Sequence, residues 1–327
     1  MYNPLKRVIY TISIIQILAT ACSKKTTEPK PEQKAMVKQN DQVGSAAVDG
    51  GIDDVNDIIN NGIGGGNKAR EDAYNLPCGV VSIDSSTVNG SRKVYKVKYG
   101  SQTPCGYKYK SGQISFQLSN GTSFSQPGAV FTITYTDYSV KILANDDVVT
   151  INGTLRITNQ SGGFVWQAVT NDAIITHKVR GTFNVLYANN EVRRRDYFRL
   201  KTWSSANGWA GLTFQLDSDT TINSIKISEI GKTYEGNYDF QTEIVNPLVW
   251  SNCGNSFAGP YVLKVGKGKM NVAVPGVSPT YFEVEAGYKV DATNISSSPV
   301  RSNDCDANAY KINTVIGTTT STQYQLY

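Results

Sequence analysis

Val130-Phe-Thr-Ile-Thr-Tyr-Thr136 is the stretch that decides the fold class of this chain. Phe131, Ile133 and Tyr135 fall on one face of an extended segment, and threonines fall on the other face. This alternation of period two is typical of an antiparallel strand that packs on one side only. The pattern recurs in residues 113–118, 234–243 and 282–291.

Turn signals separate many of these alternating segments. Asn-Gly dipeptides are typical of tight hairpin turns. They stand at residues 89–90, 120–121 and 152–153. Residues 76–327 contain no long helical pattern, so we expect an elongated, all-β region of antiparallel meander or sandwich-like sheets. An alternative divides this region into two sub-domains, at about 76–190 and 211–327.

Cys22 follows a segment that is typical of a secretory signal. Lys6 and Arg7 precede an apolar stretch over residues 8–19, and small residues lead from there to Cys22. The stretch is too short to cross a bilayer, which takes about 20 apolar residues. The arrangement resembles the lipobox of bacterial lipoproteins, which implies that Cys22 is lipidated and that residues 1–21 are removed. The alternative is a plain secretory peptide with an incidental cysteine.

The segment after Cys22 predicts a tether. Residues 23–50 are polar and rich in Lys, Gln, Glu and Pro at their start, so they bury too little surface to offset the entropy of ordering. Residues 51–75 then predict a short helix near Asp53–Asn61, followed by a flexible joint at Gly64–Gly66.

Four cysteines remain after Cys22, and an even number in an exported chain predicts disulfides. Three pairings are possible, and proximity along the chain favours two local bridges. These are Cys78–Cys105 and Cys253–Cys305. Zinc is the competing use of four cysteines, but the close spacing of a structural zinc site is absent from the sequence.

Charge and histidine content narrow the classes of function. The net charge of +5 is small for a chain of this length, and Arg193–Arg195 lie between acidic residues, which predicts a solvated strand edge. We therefore expect no nucleic-acid partner. The only histidine, His177, shares the apolar face of its strand, which predicts a hydrogen-bonded core residue. We expect no metal, no cofactor and no enzymatic activity.

Several short motifs along the chain resemble an uncharacterised family of Bacteroidota lipoproteins. They include Leu76-Pro-Cys-Gly79, Pro104-Cys-Gly106, Asn246-Pro-Leu-Val-Trp250 and Asp304-Cys305-Asp306. The resemblance covers nearly all of the chain after Cys22 and departs from the family at Lys108 and Lys110. It implies a lipid-anchored, β-rich exported protein, and it brings no activity with it. Ser23 is not the aspartate that is associated with inner-membrane retention, so we expect the outer membrane, facing the periplasm or the exterior.

The sequence leaves three hypotheses of function. The first is a non-enzymatic envelope or surface module with an unknown protein partner. The second is a carbohydrate-binding lipoprotein, in which Trp203 and Trp209 stack on sugars. The third is a carboxylate-dependent glycoside hydrolase. Its acids would come from Glu229, Glu235, Glu243, Glu283 and Glu285, although their alternation predicts solvated strand faces for them.

Overall fold

The computed structural model describes residues 39–60, 76–88, 92–100, 104–106, 108–143, 147–254, 261–291, 299–302 and 304–326. The described chain contains a long helix α1 (Gln39–Ile58), a short helix α2 (Gln167–Thr170) and sixteen strands. The strands are β1 (Val80–Val88), β2 (Arg92–Tyr99), β3 (Lys108–Asn120), β4 (Ala129–Ile142), β5 (Val148–Asn159), β6 (Ile175–Tyr187), β7 (Val192–Ser205), β8 (Leu212–Ser218), β9 (Thr221–Ile222), β10 (Ile225–Lys232), β11 (Asp239–Asn252), β12 (Tyr261–Val272), β13 (Thr280–Lys289), β14 (Val300–Arg301), β15 (Ala309–Ile316) and β16 (Thr319–Leu326).

All sixteen strands belong to one antiparallel sheet. Its order follows the chain from β1 to β7 and continues through β10, β11, β12, β13 and β15 to β16. Strand β8 pairs with both β7 and β11, and β7 also pairs with β10. The predicted all-β antiparallel meander is therefore confirmed. The strands on either side of residues 190–211 are parts of the same sheet.

Strand β4 shows how the sequence pattern becomes structure. Phe131, Ile133 and Tyr135 are buried, whereas Thr132 and Thr134 are half-buried on the other face. The neighbouring strand β3 contains a bulge at Gly112, where a Cβ atom would lie 2.0 Å from the carbonyl oxygen of Asp137. A residue with a side chain cannot occupy that position without moving the backbone, so glycine is required there.

The sheet curves around α1. From Val43 to Ile59, every residue of this segment is buried or half-buried, with none exposed. Its apolar side chains join the largest hydrophobic cluster of the described chain. Its polar side chains bond to residues of strands β2, β3, β7 and β10. A helix that is covered on all faces fills the interior of a protein.

Small residues let the strands approach the helix closely. A Cβ atom on Gly44 would lie 3.0 Å from Val185 Cγ2. One on Gly51 would lie 2.7 Å from Ile114 Cδ1 and from Tyr135 Cε1. The small residues of α1 are therefore part of the packing.

The predicted tether and helix need correction. Helix α1 begins at Gln39, so residues 39–50 are helical, and the prediction of a tether over residues 23–50 is wrong for this part. The short helix predicted near Asp53–Asn61 is the C-terminal part of this longer helix, which ends at Ile58. The composition Gly-Ser-Ala-Ala resembles a flexible linker, but here it permits close packing inside the sheet. Cys22 and the Gly64–Gly66 joint lie outside the described residues. Among the helices that are described, none is long and apolar enough to cross a membrane.

Candidate functional site

The most unusual feature of the interior is a set of paired charges between α1 and the sheet, which we call the enclosed charge network. Each charged member is nearly or fully buried, apart from Asp53, whose side chain is 23% exposed. Burying unpaired charges is costly, so such groups are expected to pair. The network consists of Ser45, Asp49, Asp53 and Asp54 of α1, Lys110 of β3, Arg195, Arg199 and Lys201 of β7, and Glu229 of β10.

The first group of contacts lies in the N-terminal half of α1. Ser45 Oγ donates to the carboxylate of Glu229 at 2.8 Å. Arg195 Nη1 donates to Ser45 Oγ at 2.9 Å and to Glu229 Oε1 at 3.0 Å. Arg195 Nη2 donates to Tyr187 Oη at 2.8 Å. The hydroxyl of Ser45 thus joins α1 to an ion pair that spans β7 and β10.

The second group surrounds Asp49, one turn further along α1. Asp49 Oδ2 accepts hydrogen bonds from Arg199 Nη1 and, at 2.8 Å, from Tyr197 Oη. Lys201 Nζ lies 3.5 Å from Asp49 Oδ1 and 3.2 Å from Asp53 Oδ1. Alternate residues of β7 therefore present three donors to two carboxylates of the helix.

The third group holds the C-terminal half of α1 to the opposite part of the sheet. Lys110 Nζ lies 2.6 Å from Asp54 Oδ2, which also accepts a hydrogen bond from Tyr99 Oη at 3.0 Å. Because Lys110 is on β3 and Arg199 is on β7, the two ion pairs bind α1 from different strands. The helix is therefore fastened on more than one side.

Burial shifts the pKa values of several groups around α1. Burial raises the pKa of Asp53 to about 6, against the attraction of Lys201. It raises the pKa of Asp57 to about 8, and the neighbouring carboxylates of Asp54 and Asp53 add to this rise. It also lowers the pKa of Lys108 to about 8, helped by the nearby charge of Lys110. These shifts follow from low solvation and charge proximity.

The structure corrects two predictions about charged residues. Arg193–Arg195 were expected at a solvated strand edge, but Arg195 is only 1% exposed and points toward α1. Glu229, expected on a solvated face, is buried in the same network. The alternation of residues along β7 could have indicated that its cations are buried. Arg195, Arg199 and Lys201 fall on the same face of the strand as the buried Tyr197.

His177 lies in an aromatic part of the core. Its ring centroid is 5.3 Å from that of Phe124 and 4.9 Å from that of Trp203, both in edge-on arrangements. The prediction of a core position is confirmed, since the residue is 1% exposed. Neither ring nitrogen has a hydrogen-bond partner within the described chain, so the expected hydrogen bond is not found. Burial, with the nearby charge of Lys201, lowers the pKa of His177 to about 3.

The four tryptophans differ in exposure. Trp203 is half-buried between His177 and Phe214, and Trp209 packs against a small cluster that includes Leu212. Trp250 is buried. Trp166, which the sequence did not single out, is 37% exposed. The two aromatic residues proposed for ligand stacking are therefore largely used in packing.

Both proximity-based cysteine pairs lie within disulfide distance. The Cα atoms are 5.6 Å apart in Cys78–Cys105 and 5.7 Å apart in Cys253–Cys305. The first bridge links the start of β1 to the turn between β2 and β3. The second links the end of β11 to the segment before β15. The first bridge therefore lies at the β1 end of the strand order, whereas the second joins segments next to β11 and β15, inside the other end.

Comparisons with known proteins identify no relative of this chain. No protein-family model, no curated protein and no solved structure matches this chain. Within the described residues, no group of three or more His, Cys, Asp or Glu side chains is arranged to hold a metal ion. The enclosed charge network, whose groups bond mainly to one another, is thus the feature from which a function can be argued.

Single substitutions in the Asp49–Arg199 pair should be strongly destabilising. Arg199→Met leaves Asp49 buried with fewer donors, and Asp49→Asn leaves Arg199 undercompensated, so each should lower the free energy of unfolding by about 3–5 kcal/mol. The double variant should lose less free energy of unfolding than the two single variants together. A double-mutant cycle measured in denaturant should therefore give a coupling energy of about 1–3 kcal/mol.

The exposed pair Lys232–Asp239 is the matched control. Lys232 Nζ lies 2.8 Å from Asp239 Oδ1, but the two side chains are 45% and 73% exposed. The cycle of Lys232→Met and Asp239→Asn should give a coupling energy under about 1 kcal/mol. Equal coupling energies for the two pairs would show that the enclosed network does not hold α1.

His177 should make the protein sensitive to acid. Its folded pKa of about 3 lies below its ordinary value of 6.5. Unfolding therefore takes up a proton between these values, and the stability present above pH 6.5 is lost as the pH falls toward 3. His177→Phe keeps an aromatic ring and should reduce the proton uptake on unfolding by about one proton near pH 5. The measurement is the free energy of unfolding in denaturant from pH 4 to 7. If this free energy depends on pH in the same way in His177→Phe and in the unmodified protein, His177 is not the source of the acid sensitivity.

Proposed function

We propose that the protein is a lipid-anchored outer-membrane protein that serves as a non-enzymatic interaction module of the cell envelope or surface. In this proposal α1 fastens the sheet to the membrane tether. The observation that carries it is the position of α1. Only residues 23–38 separate Cys22 from the first residue of the helix, and the helix is enclosed by the sheet.

The arrangement of the network supports a fastening role. A pull on the tether would reach the N-terminal end of α1 first. The contact of Ser45 with Glu229 lies in the first half of α1, and that of Asp49 with Arg199 lies at its middle. These contacts reach residues far along the chain, in β7 and β10. A load on the lipid anchor would therefore pass into the middle of the sheet.

The carboxylates favour a scaffold over the hydrolase alternative. Glu229 is paired with Arg195 in the interior. Glu283 Oε1 lies 3.0 Å from Lys267 Nζ, and Glu285 pairs with Arg301. A retaining or inverting glycosidase needs two acids that face one another across a substrate cleft. These three acids form ion pairs instead, which favours a structural role for them.

Carbohydrate binding is the second candidate, and the exposure of Trp166 favours it. Its neighbour Val165 packs in the small cluster against which Trp209 also packs, so two tryptophans lie around one loop region. An exposed aromatic ring can stack on the face of a sugar. In this candidate Trp166 replaces Trp203 as the principal stacking residue.

The test of the anchor uses Cys22. Metabolic labelling with a palmitate analogue should label the full chain, and Cys22→Ser should lose both the label and its partition with membranes. The variant should keep the thermal stability of the folded part, because the substitution precedes α1. An unlabelled mature protein, or a Cys22→Ser variant that still partitions with membranes, would refute the anchor.

The same preparations separate the two candidate functions. A glycan array with tryptophan fluorescence should give no saturable quenching if the protein is a non-carbohydrate module. Saturable quenching by one glycan class that is lost in Trp166→Ala would instead show that the protein binds carbohydrate.

A further inference from the structure

The strand order of the sheet ends in β1 on one side and β16 on the other. Strand β1 pairs only with β2, and β16 pairs only with β15, as far as the described strands extend. Each end strand therefore has one backbone edge without a strand partner in the described part of the chain. Such edges are templates for further strand pairing, and proteins commonly protect them.

The edge of β1 carries two protective features. The pairing of β1 with β2 shifts register between Val80 and Ser82, which indicates an irregularity at the start of the strand. Asp84 places a charge on the strand and pairs with Lys98 of β2 at 3.3 Å, with both side chains more than half exposed. A bulge and an exposed charge both oppose the addition of another strand.

The edge of β16 lacks these features. Its eight residues, Thr-Thr-Ser-Thr-Gln-Tyr-Gln-Leu, contain no charged residue and no proline. All eight pair with β15 without a register shift. Thr319–Gln323 are exposed although their side chains alternate between the two faces. The strand is thus regular, neutral and open to solvent.

We propose that the outer edge of β16 pairs antiparallel with the β16 of a second copy of this chain, about a two-fold axis. Self-pairing sets threonine, serine and glutamine against one another and brings no like charges together. Cross-strand hydroxyl pairs are favourable relative to pairs of alanines. The side chains of Thr319–Thr322 are short and exposed, so backbone hydrogen bonds and matching hydroxyls define the partner.

The dimer is expected to be weak and reversible. One strand pair of eight residues buries less than the roughly 1,200–2,000 Å² of a standard stable interface. Association should therefore depend on concentration, and it does not require the lipid anchor proposed above. A closed two-fold dimer stops at two copies, because the β16 edge of each copy is used in the contact.

Sedimentation velocity of the purified full chain over a concentration series tests the proposal. The unmodified chain should shift from monomer to dimer as concentration rises. Ser321→Lys places two like charges near the axis and should weaken the dimer about tenfold or more. Ser86→Lys is the matched control, since it changes an exposed serine in the other end strand, and it should leave association unchanged.

Hydrogen exchange of the same samples locates the contact. Amides of β16 should exchange more slowly at high concentration than at low concentration, and those of β1 should not change. Monomer at every concentration would overturn the proposal. So would association that Ser86→Lys abolishes, or growth beyond dimers that both variants prevent, because either result assigns the contact to the edge of β1.

Discussion

The ion pairs between α1 and the inner side of the sheet are the interaction on which the rest of the structure depends. A helix with several carboxylates would be costly to enclose unless cations met it from the surrounding strands. Lys110, Arg199 and Lys201 supply these cations from β3 and β7, and Arg195 with Glu229 extends the network to β10. The sheet and the helix therefore depend on each other for charge balance.

Close packing is the second constraint on α1. Its sequence contains three glycines and several aspartates and β-branched residues, all of which are poor helix formers. Such a segment gains its helical form from tertiary contacts more than from its own propensity. Gly44 and Gly51 allow Val185, Ile114 and Tyr135 to lie against the helix backbone. The residues that weaken the isolated helix are those that let the sheet enclose it.

The sequence predicts the strands well because their alternation is local. The pattern of residues 130–136 predicts β4 correctly, and chain proximity predicts both cysteine pairs. The enclosed helix is harder to predict, because its start has the composition of a linker. The partners of its charges are also distant, since Asp49 and Arg199 are 150 positions apart in the sequence. A charged residue normally faces water, so residue type does not place Arg195 or Glu229 inside, and for Arg195 only its parity with Tyr197 is a local signal.

Two adjacent glycines of α1 provide the most direct test of the claim that the sheet encloses this helix. A Cβ atom on Gly50 would lie 3.7 Å from Lys108 Nζ, which is ordinary contact, whereas one on Gly51 would lie 2.7 Å from two buried side chains. Gly50→Ala should raise the free energy of unfolding by up to about 1 kcal/mol, because alanine favours helix. Gly51→Ala should lower it by about 1–3 kcal/mol, because the core is overpacked. Denaturant unfolding that shows both variants equally stabilised would contradict the account, since it would mean that Gly51 faces open space.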